Sequence, residues 1–428
     1  MTTTHPRPAT APRVPGARST PVDPARWPDV AAPPRTSRAR RATAATVVRR
    51  ALDRLPLRVR FADGDTVGLG GPLVEVHDPD AFHGRIGAQG LIGFGESYMA
   101  GEWDAPDLVG ALTVLAANAA ELVPAPLQRL RGLWAQRHPA ARRNTPEGAR
   151  SNISSHYDLS NDLFALFLDE TLSYSSAVFL GFPSRQESLA AAQRRKIDRL
   201  LDLAEVGEGT RLLEIGTGWG ELALRAAARG AHVTTLTLSR EQRDRAVERA
   251  HEAGLADRVR VELRDYREET GTYDAVVSVE MIEAVGAEFW PVYFRTLDDR
   301  LEPGGRAALQ AITMPHDRMT AARDTYTWIQ KYVFPGGLIP STDAIEDTVR
   351  DHTGLRTARR DDFGAHYAET LRLWRERFTE HTDEVGALGF DETFRRLWTF
   401  YLAYSEAGFR AGYLDVQQYL FTKEGQAR

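Results

Sequence analysis

The chain contains no cysteine. That absence excludes disulfides, thiolate zinc sites, iron–sulfur clusters and a cysteine nucleophile. It has no apolar run of about 18 residues, so no spanning helix is expected, and its first residues lack the apolar core of a secretory leader. An excess of positive charge is missing too. The 54 Lys and Arg residues face 59 Asp and Glu, a net charge of −5, which argues against a generally basic nucleic-acid binder. Lysine itself is scarce: Lys196, Lys331 and Lys423 stand alone among the arginines.

What remains is ordinary globular chemistry, 42% hydrophobic and 26% charged over 428 residues. At roughly 150 residues per domain this suggests two or three domains. Residues 1–42 are rich in Pro, Thr, Ala and Arg with one aromatic, Trp27; such a segment buries too little to offset ordering entropy and is expected to be a disordered tail. Arginines crowd the stretch from Arg35 to Arg60, opposed before Asp63 only by Asp53. A solvated basic helix is the plain reading. Attraction to anionic lipid head groups, about 1 kcal/mol per basic residue near a membrane surface, is the sharper one. Residues 43–150 read as a small α+β domain with a linker. LRVRFADGDTVGL has the form strand, DG turn, strand, residues 107–122 have helical periodicity, and 124–150 are Pro and Arg rich.

Residues 151–428 read as one larger domain. Short β-type runs (RLLEI, HVTTLTL, RVRVEL, YDAVVSVE, RAALQAI) alternate with helical stretches at 219–229, 240–253 and 288–300. Alternation of this kind predicts an α/β fold with a parallel, doubly wound sheet. Residues 316–380 break the rhythm with aromatics and are expected to be an insertion or cap over the strand ends.

The run Glu214-Ile215-Gly216-Thr217-Gly218-Trp219-Gly220 follows a strand and opens a helix. Glycines let the backbone approach a ligand, and the helix N-terminus offers unpaired N–H groups. The spacing is G-x-G-x-G, not the G-x-G-x-x-G of dinucleotide sites, which favours S-adenosylmethionine over NAD; a merely structural turn is the competing reading. The next strand ends in Thr237-Leu238 without the acid that usually meets a ribose, leaving Gln242 as the available polar group. Asp265-Tyr266 closes the third strand, where adenine stacking on Tyr266 competes with ordinary core packing. No metal site is read.

Five stretches carry a family resemblance: HYDLSNDLFALFLDETLSYSSAVF (156–179), LLEIGTGWG (212–220), VSVEMIEAVG (277–286), WIQKYVFPGGLIPS (328–341) and HYAETLRLW (366–374). Over about 152–419 the chain resembles the cyclopropane fatty acid synthase family of methyltransferases. The resemblance implies a methyltransferase fold with a helical lid and an acyl tunnel, and transfer of a methyl group from S-adenosylmethionine to the double bond of a lipid acyl chain. It implies cofactor contacts at Tyr174, Ser175, Gly216, Gly218, Thr237, Leu238, Gln242 and Tyr266, with Glu214, Gly220 and Asp265 of the same motifs beside them. A sulfonium attracts aromatic faces and a carbocation must be kept dry, so Tyr174, Phe179, Trp328, Tyr332 and Phe334 are candidate shields.

Family members hold a bicarbonate ion with two cysteines, a glutamate, a histidine and a tyrosine. This chain matches Glu283 and Tyr367 but has Ser176, Ser405 and Gln310 at the other positions. Hydroxyls and an amide still hydrogen-bond an anion, so bicarbonate stays open as a second bound species. Glu283 is the first candidate for organising the proton-accepting site, with Tyr367 and Gln310 as its orienting groups. Glu147 and Glu406 are alternative fixed bases. Glu280, three residues before Glu283, is placed on a shared helical face or at the cofactor's amino-acid end. The motifs LQAITMP and EMIEAVG look most like the branch making 10-methylene chains for 10-methyl (tuberculostearic) lipids, with cyclopropane formation as the alternative and a non-catalytic lipid-binding subunit of the same fold as a third reading. The reduction then needs a separate flavin-dependent partner, since no flavin fingerprint is present. A cytoplasmic enzyme peripheral to the inner membrane face follows, with oligomerisation left open and no nucleic-acid partner.

Overall fold

The computed structural model describes residues 21–119, 160–184, 187–323 and 325–425. Two compact units divide at Val123/Pro124.

The first unit carries a four-stranded sheet in the order β2-β1-β3-β4, with β1 Arg58–Phe61, β2 Thr66–Val67, β3 Leu73–Val76 and β4 Trp103–Asp104. The DG turn forms as expected: β1 and β2 pair antiparallel around Gly64, which takes φ 89°. The tail expected to be disordered through residue 42 is partly folded. Pro28–Ala31 and Arg38–Leu52 are helical, the second capped by Ser37. Buried Arg85 explains the order. Its guanidinium pairs with Glu102 and donates to the carbonyls of Asp29 and Val30, tying the segment to the unit's core. The linker proposed at 124–150 and Glu147 lie outside the described residues.

The second unit is built on a seven-stranded sheet, order β10-β11-β9-β8-β5-β6-β7. The strands are β5 Arg211–Ile215, β6 His232–Thr237, β7 Val259–Leu263, β8 Tyr273–Val279, β9 Leu301–Thr313, β10 Leu355–Asp362 and β11 Asp415–Lys423. β5 to β9 coincide with the five β-type runs and pair in parallel. The sheet is nevertheless mixed, not purely parallel. β11 runs antiparallel between β9 and β10, and β10 falls inside the segment expected to be only a cap. β10 reads LRTARRDD and is mostly exposed, as an edge strand is when it faces water; its polarity hid it.

Order reverses between β5, which leads to β6, and β8. Ligands of open α/β sheets bind at such a switch point, beyond the carboxyl ends of the strands. Two layers of apolar side chains sandwich the sheet: Leu200, Leu212, Ala226 and Val277 belong to one, and Leu213, Val276, Phe294 and Leu309 to the other. An aromatic cluster then closes the C-terminal edge. Phe164, with no exposed surface, packs on Phe167, Tyr174, Trp219 and Trp398 at centroid distances of 5.0–6.2 Å. Truncating a buried Phe costs about 3–5 kcal/mol. Phe164→Ala is therefore expected to lower unfolding free energy in urea by about that amount, and a loss under about 1 kcal/mol would show that the cluster does not hold the edge together.

Candidate active site

The glycine loop hangs between β5 and the helix Glu221–Ala228. Gly216, Gly218 and Gly220 all take positive φ, 98°, 52° and 92°. At Gly216 an added Cβ would stand 2.6 Å from Met281 Cγ, and at Gly220 it would stand 3.1 Å from Ala246 Cβ. The loop is buttressed from outside. Arg249 donates to the Trp219 carbonyl (2.7 Å) and pairs with Glu221 (2.6 Å), while Thr235 Oγ1 donates to Thr217 Oγ1 (2.7 Å).

A cavity of about 150 Å³ opens over this loop. It collects Tyr174, Ser175, Glu214, Gly216, Gly218, Thr237, Leu238, Gln242, Asp265 and Tyr266, ten of the eleven residues assigned to the cofactor. Gly220 does not line it; it turns the chain into the helix. Gln242 is fixed by its Oε1, which accepts from Thr237 Oγ1 (2.8 Å). Asp265 is engaged by Arg267 at 2.6 Å and 2.8 Å, so it orients Arg267 and is not simply open to adenine. Tyr266 lies edge-on to Tyr293 and under Arg267.

Lys196 went unread from sequence. It projects from the helix Leu189–Leu203, is fully covered, and donates from Nζ to Ser175 Oγ (2.6 Å). Burial pulls its ammonium down to about 8. Glu214 is buried with one carboxyl oxygen lacking a hydrogen-bond partner, and burial pushes it up to about 8. An orphaned buried carboxyl oxygen calls for a donor. Carboxyls beside a lysine, above a glycine cradle, suit the ammonium, carboxylate and sulfonium of S-adenosylmethionine. The residues present fit that cofactor.

The segment 173–179 enters this cavity wall with Ser173, Tyr174 and Ser175 and then runs on beyond it. Gln193 donates to the carbonyls of Ser173 and Ser175 on one side. On the other, Thr370 and His366 of the helix Gly364–Glu380 accept the N–H groups of Ala177 and Phe179. Of the five candidate aromatic shields only Tyr174 lines the cavity; its hydroxyl meets Tyr401 at 2.7 Å. Phe179 stacks on His366, Trp328 meets Phe400 edge-on, and Phe334 packs against Tyr401.

The polar centre is arranged differently from the expectation. Ser176, Gln310 and Tyr367 do converge, but on Glu280. The Ser176 N–H donates to its Oε1 (2.8 Å), Gln310 Nε2 to the same oxygen (2.7 Å), and the Tyr367 hydroxyl to Oε2 (2.8 Å). Gln310 is itself oriented, since its Oε1 accepts from Gln418 (2.9 Å) on β11 and Arg199 donates to Gln418. Glu280 sits just past β8 at φ 51°, a left-handed backbone that costs a non-glycine residue about 1–2 kcal/mol. It therefore shares no helical face with Glu283, because the next helix starts at Ile282. Glu283 instead accepts the Ile312 N–H, and its other carboxyl oxygen is buried without a partner. Burial and the nearby Glu280 push Glu283 up to about 8. Burial also raises Glu280, against its three donors and Lys196.

The Ser176 hydroxyl turns away to the Ala177 carbonyl. Ser405 is half-buried on the helix Glu392–Arg410 and does not line the cavity. Glu406 is buried in ion pairs with Arg375 and Arg410; two guanidiniums hold it as a structural anion.

Residues 144–419 match the family described as mycolic acid cyclopropane synthetase. The chain is 55% identical over 413 residues to the tuberculostearic acid methyltransferase UfaA1 of Mycobacterium tuberculosis, covering 94% of this chain and 97% of that one. The chain belongs to the mycolic acid cyclopropane synthetase family. The cyclopropane-fatty-acyl-phospholipid synthase of Escherichia coli K12 is 33% identical over 82% of this chain and 87% of its own. The solved structure of mycolic acid cyclopropane synthase CmaA1, in complex with SAH and CTAB, superposes with TM-score 0.59 at 30% identity, over 64% of this chain and 98% of that one. The chain is a SAM-dependent methyltransferase that acts on lipid acyl chains.

The carboxyl of Glu283 gives a pH test. Its folded value of about 8 lies above the ordinary carboxylate value, so the folded state holds this proton more tightly than the unfolded chain. The stability it contributes is complete at low pH and is lost as pH rises through about 8. Glu283→Gln is expected to shrink the fall in melting temperature between about pH 5 and about pH 8.5. An unchanged fall would mean that Glu283 is ionised in the folded protein.

Proposed function

We propose that this methyltransferase converts the double bond of a mono-unsaturated phospholipid acyl chain, oleoyl in type, into a 10-methylene branch, for later reduction to a 10-methyl (tuberculostearic) lipid. The supporting observation is similarity along 94% of the chain to a methyltransferase named for tuberculostearic acid. When bound, S-adenosylmethionine supplies the electrophilic methyl group. Lys196, Glu214 and Gln242 hold the cofactor, and the glycine loop lets its body approach the backbone. An alkene is a weak nucleophile, so alignment is most of what the protein contributes. The strap 173–179 and the aromatic contacts of Tyr174 with Phe164 and Trp374 keep water from the developing cation.

The product lacks only a reduction step, which calls for a hydride-donating partner of the flavin-dependent class. Among the described residues no helix is long and apolar enough to cross a membrane, and a bilayer substrate therefore requires docking at its surface. Arg50, Arg54 and Arg58 of the first unit are exposed and supply attraction for anionic head groups at the cytoplasmic face.

Dioleoyl phospholipid vesicles incubated with the protein and methyl-labelled S-adenosylmethionine should yield labelled acyl chains one CH₂ heavier. Ozone should cleave the product at the new exocyclic double bond. Ozone-resistant label would instead make it a cyclopropane, and no label would remove the reading. Replacing Arg50, Arg54 and Arg58 by Glu should weaken sedimentation with anionic vesicles at least about threefold at low salt. Unchanged binding would place the docking surface elsewhere.

A further inference from the structure

We infer that Glu280 is the general base of this reaction, a carboxylate built into the chain and held by three of the five residues that the family resemblance assigns to a dissolved anion. This rests on the methyl-transfer reading above and names the proton acceptor within it.

Three observations carry it. Glu280 lines the cofactor cavity, whereas Glu283, Gln310 and Tyr367 do not. Its carboxylate takes the Ser176 N–H, the Gln310 amide and the Tyr367 hydroxyl, so an anion seeking those donors meets one already there. Of the other described candidates, Glu283 gives one oxygen to the Ile312 N–H and lies off the cavity wall, and Glu406 is locked between two arginines; Glu147 lies outside the described residues.

The proton balance is complete without another reagent. The sulfur–methyl bond breaks as the two π electrons of the olefin bond to that carbon, leaving the cofactor as neutral thioether and a cation on the neighbouring chain carbon. A hydride then moves from the methyl-bearing carbon to that neighbour, which shifts the positive charge to the branch point. A proton leaves the new methyl group, its C–H pair becomes the exocyclic double bond, and a Glu280 oxygen accepts the proton. Loss of the methyl proton before the hydride shift gives a cyclopropane, so the acceptor is the same for either product.

The test compares the unaltered protein with Glu280→Gly and Glu280→Gln in buffer purged of carbon dioxide and in buffer with added bicarbonate. Glycine takes φ 51° without strain, so Glu280→Gly is expected to fold and to leave an anion-sized space. The unaltered protein should transfer label equally in both buffers. Both variants should lose at least about 100-fold in kcat without bicarbonate, with KM for the cofactor within about threefold. Glu280→Gly should recover with bicarbonate; Glu280→Gln, whose amide fills the space, should not.

Binding gives a readout apart from turnover. By calorimetry S-adenosylhomocysteine should bind all three proteins alike, and by NMR carbon-13 bicarbonate should bind Glu280→Gly only. Dependence of the unaltered protein on bicarbonate, its binding of that ion, or full activity of Glu280→Gly in purged buffer would each overturn the inference. The reading of the reaction would survive those results. Absence of label transfer by the unaltered protein in both buffers would instead fail that reading, and this inference with it.

Discussion

A negative charge inside a protein survives only where donors replace the water it has lost. Here that demand falls on one carboxylate just past the central strand β8, and it is met from three directions. Ser176 comes from the strap, Gln310 from the neighbouring strand and Tyr367 from a helix more than 80 positions later in the chain. The distance in sequence is what makes the arrangement informative. Strap, sheet and helix must all be in place for the carboxylate to be satisfied, so the polar centre and the tertiary fold specify each other. Gln418 on β11 and Arg199 extend the same chain of hydrogen bonds outward and fix which face of the Gln310 amide is presented.

Two carboxyls three residues apart thereby acquire different characters. Glu280 is surrounded by donors. Glu283 has one backbone donor and a buried bare oxygen, and its neighbour's charge raises it further. Two adjacent acids cannot both ionise cheaply, and separated environments are how a site obtains one basic and one protonated group. Lys196, the only lysine in the cofactor cavity, adds a positive charge that favours the ionised form of Glu280.

Strands β5, β6, β8 and β9 were legible because buried parallel strands are short apolar runs, bounded here by glycines and helix caps such as Ser239, and the half-buried edge strand β7, VRVEL, by its alternation of valine with charge. β10 and β11 were not. LRTARRDD is an edge strand written in charged residues, and β11 joins antiparallel from the far end of the chain. The folded part of residues 21–42 was hidden for a related reason. Its order comes from Arg85, more than 50 residues away, and not from its own composition. The glycine loop and most of the cavity wall above it could be read because each is set by a local turn at a strand end. The convergence of Ser176, Gln310 and Tyr367 on Glu280 was not legible. A three-residue spacing suggested one helical face, whereas the backbone at Glu280 is left-handed and the helix begins later. A charged residue closing an otherwise apolar strand at the switch point was the available signal.

The identity of the proton acceptor depends on which atoms occupy the space among Ser176, Gln310 and Tyr367. A crystal structure of the full chain with S-adenosylhomocysteine, grown in bicarbonate, reads this directly. It should show the Glu280 carboxylate in hydrogen-bond contact with all three groups and no separate anion between them. Trigonal density for a bound carbonate there, with the Glu280 side chain turned away, would contradict it.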